Sequence, residues 1–272
     1  MRAVHIEILG SVSVTVDGTR QAIGASKVRA LLATLALDAG RVVSNTDLGD
    51  ELWSDRQLGN ARNALQAHAT RLRKVLDGPD RPAQGQTVLR AVANGYMLDV
   101  PREAIDSNRF LDLAGRGAAE LPQRPHHALE LLQAAFGLWQ GPALVDAGDG
   151  LRCRGAAALF DERRLTLWED LISALLAVGE DRRAVGELRR LVAQYPLNER
   201  FCEQLMLALY RSGRQGEALE LFHRTRRHLD EELGLQPGIP LQQRHAEILA
   251  HDPALTLPSA VWLGHREPVA TG

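Results

Sequence analysis

The chain has 272 residues, of which 45% are hydrophobic and 24% charged, a globular composition with length enough for two ordinary domains; fibrous and disordered classes are excluded. Net charge is −2 with a pI near 6.5, so no overall basic field marks a nucleic-acid binder, yet a total can hide a local asymmetry. Residues 1–100 hold twelve Lys and Arg against ten Asp and Glu, residues 101–272 twenty against twenty-four, and between Gly59 and Tyr96 the balance is Arg62, Arg71, Arg73, Lys74, Arg81 and Arg90 against Asp77 and Asp80.

The opening VHIEILGSVSVTVDG alternates, with Val4, Ile6 and Ile8 on one face and Val12, Val14 and Val16 on one face after Gly10, which predicts two strands around a turn. In SKVRALLATLALDAG, Ser26 can cap, Val28, Leu31, Leu32 and Leu35 recur at helical spacing, and Gly40 stops the last turn: a core helix. RVVS is a small strand. NTDLGDELW is a second helix, started by Asn45 or Thr46, with Leu48, Leu52 and Trp53 facing inward.

NARNALQAHATRLRKVL is a third helix. At about 100° per residue, Ala61, His68, Ala69, Leu72 and Leu76 gather around Leu65 as the buried edge. Asn63, Ala67, Thr70 and Lys74 lie opposite, flanked by Gln66 and Arg71. Then QTVLRAVANGYMLDV gives two short β runs around Asn94-Gly95, a pair suited to positive φ in a tight hairpin. Strands, three helices and a terminal hairpin describe an α+β winged helix over residues 1–101.

From Pro101 the pattern is helical, in runs separated by Gly or Pro. Leu175, Gly179, Ala184 and Leu188 recur as Leu209, Gly213, Ala218 and Phe222, at the tetratricopeptide period of about 34 residues, in which a small residue lets paired helices approach closely. Residues 102–251 are thus expected to form an all-α, tetratricopeptide-like domain. Residues 252–272, with Pro253, Pro258 and Pro268 and little periodicity, read as a loose, disordered tail.

The outward edge of the third helix carries amides, a hydroxyl and cations, with no Asp or Glu before Asp77, and that suits a groove of base-edge acceptors and phosphates. Asn63 and Gln66 match an adenine edge, Arg71, Arg73 and Lys74 match phosphates or guanine, and Ala67 permits close approach to a thymine methyl. A third helix ahead of a hairpin is where a winged helix places its recognition element. Around it, Lys27 and Arg29 either meet phosphate or are simply exposed, Arg62 adds a phosphate candidate, and Arg90 and Asn94 on the hairpin are wing contacts or solvent-facing.

Other chemistry finds little support. Cys153 and Cys202 stand far apart without a C-x-x-C or His at ligand spacing, so neither a disulfide framework nor a metal site is expected. There is no G-x-S-x-G, H-E-x-x-H or G-x-x-x-x-G-K-[ST], and His126-His127 reads as a surface pair, so no catalytic residues and no cofactor are expected. With no signal peptide and no apolar run near the ~18–20 residues of a membrane span, the expected place is the cytoplasm, at the nucleoid, with no membrane partner.

RALLATLALDAGRVVSNTDLGDELW, ARNALQAHATRLRKVL and NGYML resemble the winged-helix region of the Streptomyces antibiotic regulatory protein family, itself similar to the effector domain of OmpR-type, two-component response regulators. LWQGPAL, LMLALYRSGRQGEALELFHRTRRHLDEELGLQPG and LQQRHAEIL resemble that family's bacterial transcriptional activator domain. The resemblance covers nearly the whole chain before the tail. It implies an activator of an antibiotic biosynthetic gene cluster that binds direct repeats in double-stranded promoter DNA near the −35 element. A head-to-tail pair of protomers on the DNA, and contacts to RNA polymerase and its principal sigma factor, are implied with it. The sequence departs from the family at SDRQLGN from Ser54, where a Pro-rich step is usual, and at Ala93-Asn94-Gly95-Tyr96, where Pro-Gly-Gly-Tyr is common. The competing expectation is a protein-interaction adaptor that uses the helical domain.

Overall fold

Alternation at the amino terminus produces strands β1 (Val4–Glu7) and β2 (Ser13–Val16) in this computed structural model, which describes residues 3–53, 60–77, 87–257 and 261. Ser54, Gly59, Asp80, Arg81, Pro258 and Pro268, which entered the expectations above, lie outside the described residues. A third strand, β3 (Thr19–Gln21), was not anticipated; the sheet runs β1-β2-β3, antiparallel throughout. Asp17 and Gly18, at φ 48° and 79°, form the two-residue turn between β2 and β3 with the positive dihedrals that such hairpins need. Ile6 and Val14 pair across β1 and β2 and are fully buried.

Helix α1 (Ser26–Leu37) buries Leu31, Leu32 and Leu35 completely. Ser26 is not its cap: the N-cap position is Ala25, without a side-chain hydrogen bond. After strand β4 (Val42–Ser44) comes α2 (Asn45–Trp53), which starts at Asn45 as expected, with Ser44 Oγ accepting the Asp47 N–H at 3.0 Å. Leu48 and Leu52 are buried as expected, while Trp53 is only half-buried.

Helix α3 (Ala61–Asp77) leads to β5 (Leu89–Val92) and β6 (Gly95–Leu98), which join β4 in a second sheet of order β4-β6-β5. Here the hairpin expectation is corrected. Val92 pairs with Gly95, so the loop is Ala93-Asn94, and neither Asn94 nor Gly95 has positive φ. Gly95 is needed for another reason: a Cβ there would stand 2.1 Å from the Val43 carbonyl oxygen, so only glycine lets β4 and β6 pair at this register.

The remaining helices are α4 (Asp106–Glu120), α5 (Pro125–Phe136), α6 (Leu151–Ala177), α7 (Asp181–Gln194), α8 (Glu199–Arg211), α9 (Gln215–Leu233) and α10 (Ile239–Leu249). The fold is therefore a winged helix followed by an all-helical, tetratricopeptide-like domain. By packing, the chain divides into two units: Met1–Ala114 with Ala134–Leu165, and Gly115–Gln133 with Thr166–Gly272.

In the second unit the repeat read from sequence is visible bond for bond. Gly179 and Gly213 take φ 81° and 75°, and the Glu180 N–H to Leu175 carbonyl bond recurs as Arg214 to Leu209, both 2.9 Å. Ala184 and Ala218, each fully buried, are the small residues where each helix pair closes. Beyond α10 the expected loose tail begins with order. Asp252 caps a 3-10 turn over Pro253–Thr256, Leu255 is buried, and the Arg211 guanidinium donates to the carbonyls of Leu255 and Leu257.

Candidate nucleic-acid interface

Helix α3 is amphipathic, and the buried edge fixes which side chains point out. Leu65, Ala69, Leu72 and Leu76 are all at most 2% exposed, packed against α1 and α2. Burial of each leucine contributes about 1.5–3 kcal/mol, enough to hold the helix in one rotational setting. Arg62, Asn63, Gln66, Ala67, Thr70, Arg71 and Lys74 are exposed. The Thr70 hydroxyl donates to the Gln66 carbonyl at 2.9 Å, which leaves its oxygen free to accept from outside.

The one acid on the helix does not reach this face. Asp77 is buried, and both of its oxygens accept from the Thr87 hydroxyl, at 3.2 and 3.0 Å. The exposed side of α3 thus presents amides and cations without a carboxylate of its own. His68, half-buried near Trp53 with ring centroids 6.0 Å apart, has its pKa lowered by burial first and then by the charges of Arg71 and Lys27. Arg71 and Lys27 thus place positive charge beside the middle of α3.

Not every expected residue is presented alike. Arg73 is half-buried: its Nε donates to the Leu89 carbonyl at 3.0 Å and its guanidinium lies 5.6 Å from the Tyr96 ring centroid. It fastens α3 to the hairpin. Arg29 is likewise drawn inward, donating to the Ile23 carbonyl at 2.7 Å and pairing with Asp146 at 3.1 Å, so it is not simply exposed. Lys27 is exposed but donates to the Leu52 carbonyl at the end of α2. On the hairpin, exposed Arg90 pairs with Asp99 at 2.5 Å. Asn94 is exposed at the loop, and its carbonyl accepts the Asn45 N–H at 2.9 Å.

Three carboxylates that sequence reasoning passed over set the frame of the winged helix. Asp106, at the start of α4, accepts the N–H groups of Ile8, Leu9 and Ser107, at 2.9, 2.9 and 2.7 Å. Burial pushes its carboxyl up to about 6, against the opposing pull of those backbone donors. Asp146 accepts the Val12 N–H at 2.7 Å. Glu51, 7% exposed on α2, accepts the N–H groups of Arg152 and Cys153 at 2.9 and 2.8 Å, in the first turn of α6.

The segment between α5 and α6 completes that frame. Gln140 and Leu144 donate backbone N–H groups to Leu9 and Ile8, each at 2.9 Å. Trp139 packs edge-on against Phe110 at 5.3 Å, with Arg164 4.8 Å from the Trp139 ring. An Asp opening a helix was the available signal for Asp106. Glu51 gave none, since an acid on a short amphipathic helix ordinarily faces water.

Among the described residues, no group of His, Cys, Asp and Glu is arranged to hold a metal, and no helix is long and apolar enough to cross a membrane. Both cysteines are buried and reduced; burial pushes the Cys153 thiol up to about 12 and raises that of Cys202.

Residues 19–98 match the family described as transcriptional regulatory protein, C terminal, and residues 105–249 match the bacterial transcriptional activator domain. The transcriptional regulator RedD of Streptomyces coelicolor is 56% identical over 267 residues, 98% of this chain and 75% of that one. The regulatory protein DnrI of Streptomyces peucetius is 35% identical over 261 residues, 93% of this chain and 94% of that one. Among solved structures, Mycobacterium tuberculosis EmbR in complex with a low-affinity phosphopeptide is similar with a TM-score of 0.87 and 28% identity, over 96% of this chain and 70% of that one.

Proposed function

The chain belongs to the Streptomyces antibiotic regulatory protein family of transcriptional regulators, and on that premise we propose that it activates transcription by laying α3 in the major groove of promoter DNA. The observation that carries this reading is the outward face of α3: Asn63, Gln66, Thr70, Arg71 and Lys74 exposed around small Ala67, with the helix's only acid buried. Asn63 and Gln66 read base edges, Arg71 and Lys74 take phosphate or guanine, and Arg62 takes phosphate. Lys27, Arg90 and Asn94 flank this face as backbone contacts. Arg29 is not among them, and Arg73 acts by holding the hairpin in place.

Residues 1–101 carry DNA recognition in this reading, and residues 102–251 carry contacts to a second protomer and to RNA polymerase with its principal sigma factor. A single winged helix spans few base pairs, so useful affinity requires two protomers, head to tail on direct repeats near the −35 element. The target is a biosynthetic gene cluster for an antibiotic, and the protein works at the nucleoid without catalysis. The kinship with named transcriptional regulators supports this over an adaptor role.

Roles within α3 divide by experiment. Asn63→Ala or Gln66→Ala relaxes base preference, whereas Lys74→Ala weakens all sequences and lowers the slope of log affinity against log salt by about one. Equal loss on cognate and random duplexes for all three variants would refute the division. Sedimentation with a two-repeat duplex gives two proteins per DNA, and a strict one-to-one complex would refute the pairing.

A further inference from the structure

The second packing unit contains a groove of about 480 Å³ between α7, α8 and α9 that DNA recognition does not use. Val192 and Leu205 contribute apolar surface, while Arg189, Arg224, Arg227 and His228 contribute cationic or donor groups. Glu231 is the one acid among the lining residues. Arg189 already pairs with Glu217 at 2.8 Å, and Arg214 shares the same glutamate. By contrast, among the described residues Arg224, Arg227 and His228 have no acid within ion-pair distance.

The volume lies in the range of about 300–1,000 Å³ usual for small-molecule pockets. A simple inorganic ion would leave the apolar floor wet, and a neutral apolar molecule would make no use of the exposed guanidinium groups of Arg224 and Arg227. A molecule with both an apolar body and an acid group engages both halves of the lining. We propose that this groove binds a small organic anion, an aromatic or acyl carboxylate or sulfonate, with its acid group at Arg224 and Arg227 and its body against Val192 and Leu205. The groove lies in the second packing unit and shares no residue with α3, so its occupant is an effector of the helical domain.

The test uses the full-length chain and the fluorescent probe 8-anilinonaphthalene-1-sulfonate. The wild type gives one saturable class of sites, emptied by decanoate but not by inorganic phosphate at the same concentration. Arg224→Glu with Arg227→Glu weakens the probe by about tenfold or more, and Arg227→Gln alone by several-fold. Arg226→Glu, on the same helix but outside the groove, leaves binding unchanged. Circular dichroism confirms that each variant is folded. Absence of saturable binding, or equal behaviour of the groove variants and Arg226→Glu, overturns the proposal. Displacement by a polyglutamate peptide but not by decanoate overturns it too, assigning the groove to an acidic protein partner instead.

Discussion

Replacing Glu51 by Ala tests how far the winged helix depends on chain that follows it. The carboxylate accepts two N–H groups in the first turn of α6, at 2.9 and 2.8 Å, and is itself 7% exposed. Truncation to Ala leaves those donors without a partner. The Cys153 N–H is buried and bears the full cost of an unmade hydrogen bond, about 1–3 kcal/mol. The Arg152 N–H is only partly buried and recovers some of its loss from water. Loss of a negative charge at a helix N-terminus adds about 0.3–1 kcal/mol. The sum is about 2–4 kcal/mol. Gly150 shows how tightly the carboxylate is held, since a Cβ there would meet Glu51 Cδ at 2.1 Å. Urea unfolding followed by circular dichroism reads the change, and at an m-value of about 3 kcal/mol/M the midpoint falls by roughly 1 M. Glu51→Gln, which keeps one acceptor oxygen, falls in between, and exposed Asp50→Ala stays within about 0.5 kcal/mol of the wild type. If Glu51→Ala matches Asp50→Ala, the bonds to α6 do not stabilise the protein and the reasoning fails.

Gly95→Ala would place a Cβ 2.1 Å from the Val43 carbonyl, so it should cost about 2 kcal/mol or more by the same unfolding assay; a neutral substitution would mean that β4 and β6 have freedom to part. Asp106 has its carboxyl raised from 3.8 to about 6 in the fold, so its contribution to stability is fully present below pH 4 and falls by about 3 kcal/mol as pH rises through 6. The stability difference between wild type and Asp106→Asn should therefore change between pH 4 and pH 7, and a constant difference would contradict the raised value. Cys153 and Cys202, buried with raised pKa values, should resist iodoacetamide at pH 8 in the native protein and react in urea; mass spectrometry showing native labelling would count against their burial.

The parts of this protein that repeat were readable from its sequence. Helical periodicity placed Leu65, Ala69, Leu72 and Leu76 inside, and the recurrence of Gly179 as Gly213 reported a real recurrence of turn geometry and hydrogen bonding. Both are local signals, carried by neighbours within one helix or one helical pair. Contacts between distant segments were not readable. Asp106, Asp146 and Glu51 find backbone donors roughly a hundred residues away, and nothing in the run of residues around an acid announces such a partner. The same limit applies to the candidate interface. Exposure of Asn63, Gln66, Thr70, Arg71 and Lys74 followed from the helical wheel, but the engagement of Arg29 with Asp146 and of Arg73 with Leu89 depends on tertiary packing. Gly95 shows the third kind of gap: a turn rule pointed to the right residue for the wrong reason, because its need for glycine comes from a neighbouring strand rather than from its own φ.

The central claim is that the outward face of α3 reads DNA, and selection from a random duplex library with the purified chain tests it most directly. The wild type should enrich a short motif in direct repeat, and the Asn63→Ala, Lys74→Ala double variant should lose that enrichment while remaining folded. Enrichment of the same motif by both proteins would contradict the claim and move recognition off this helix face.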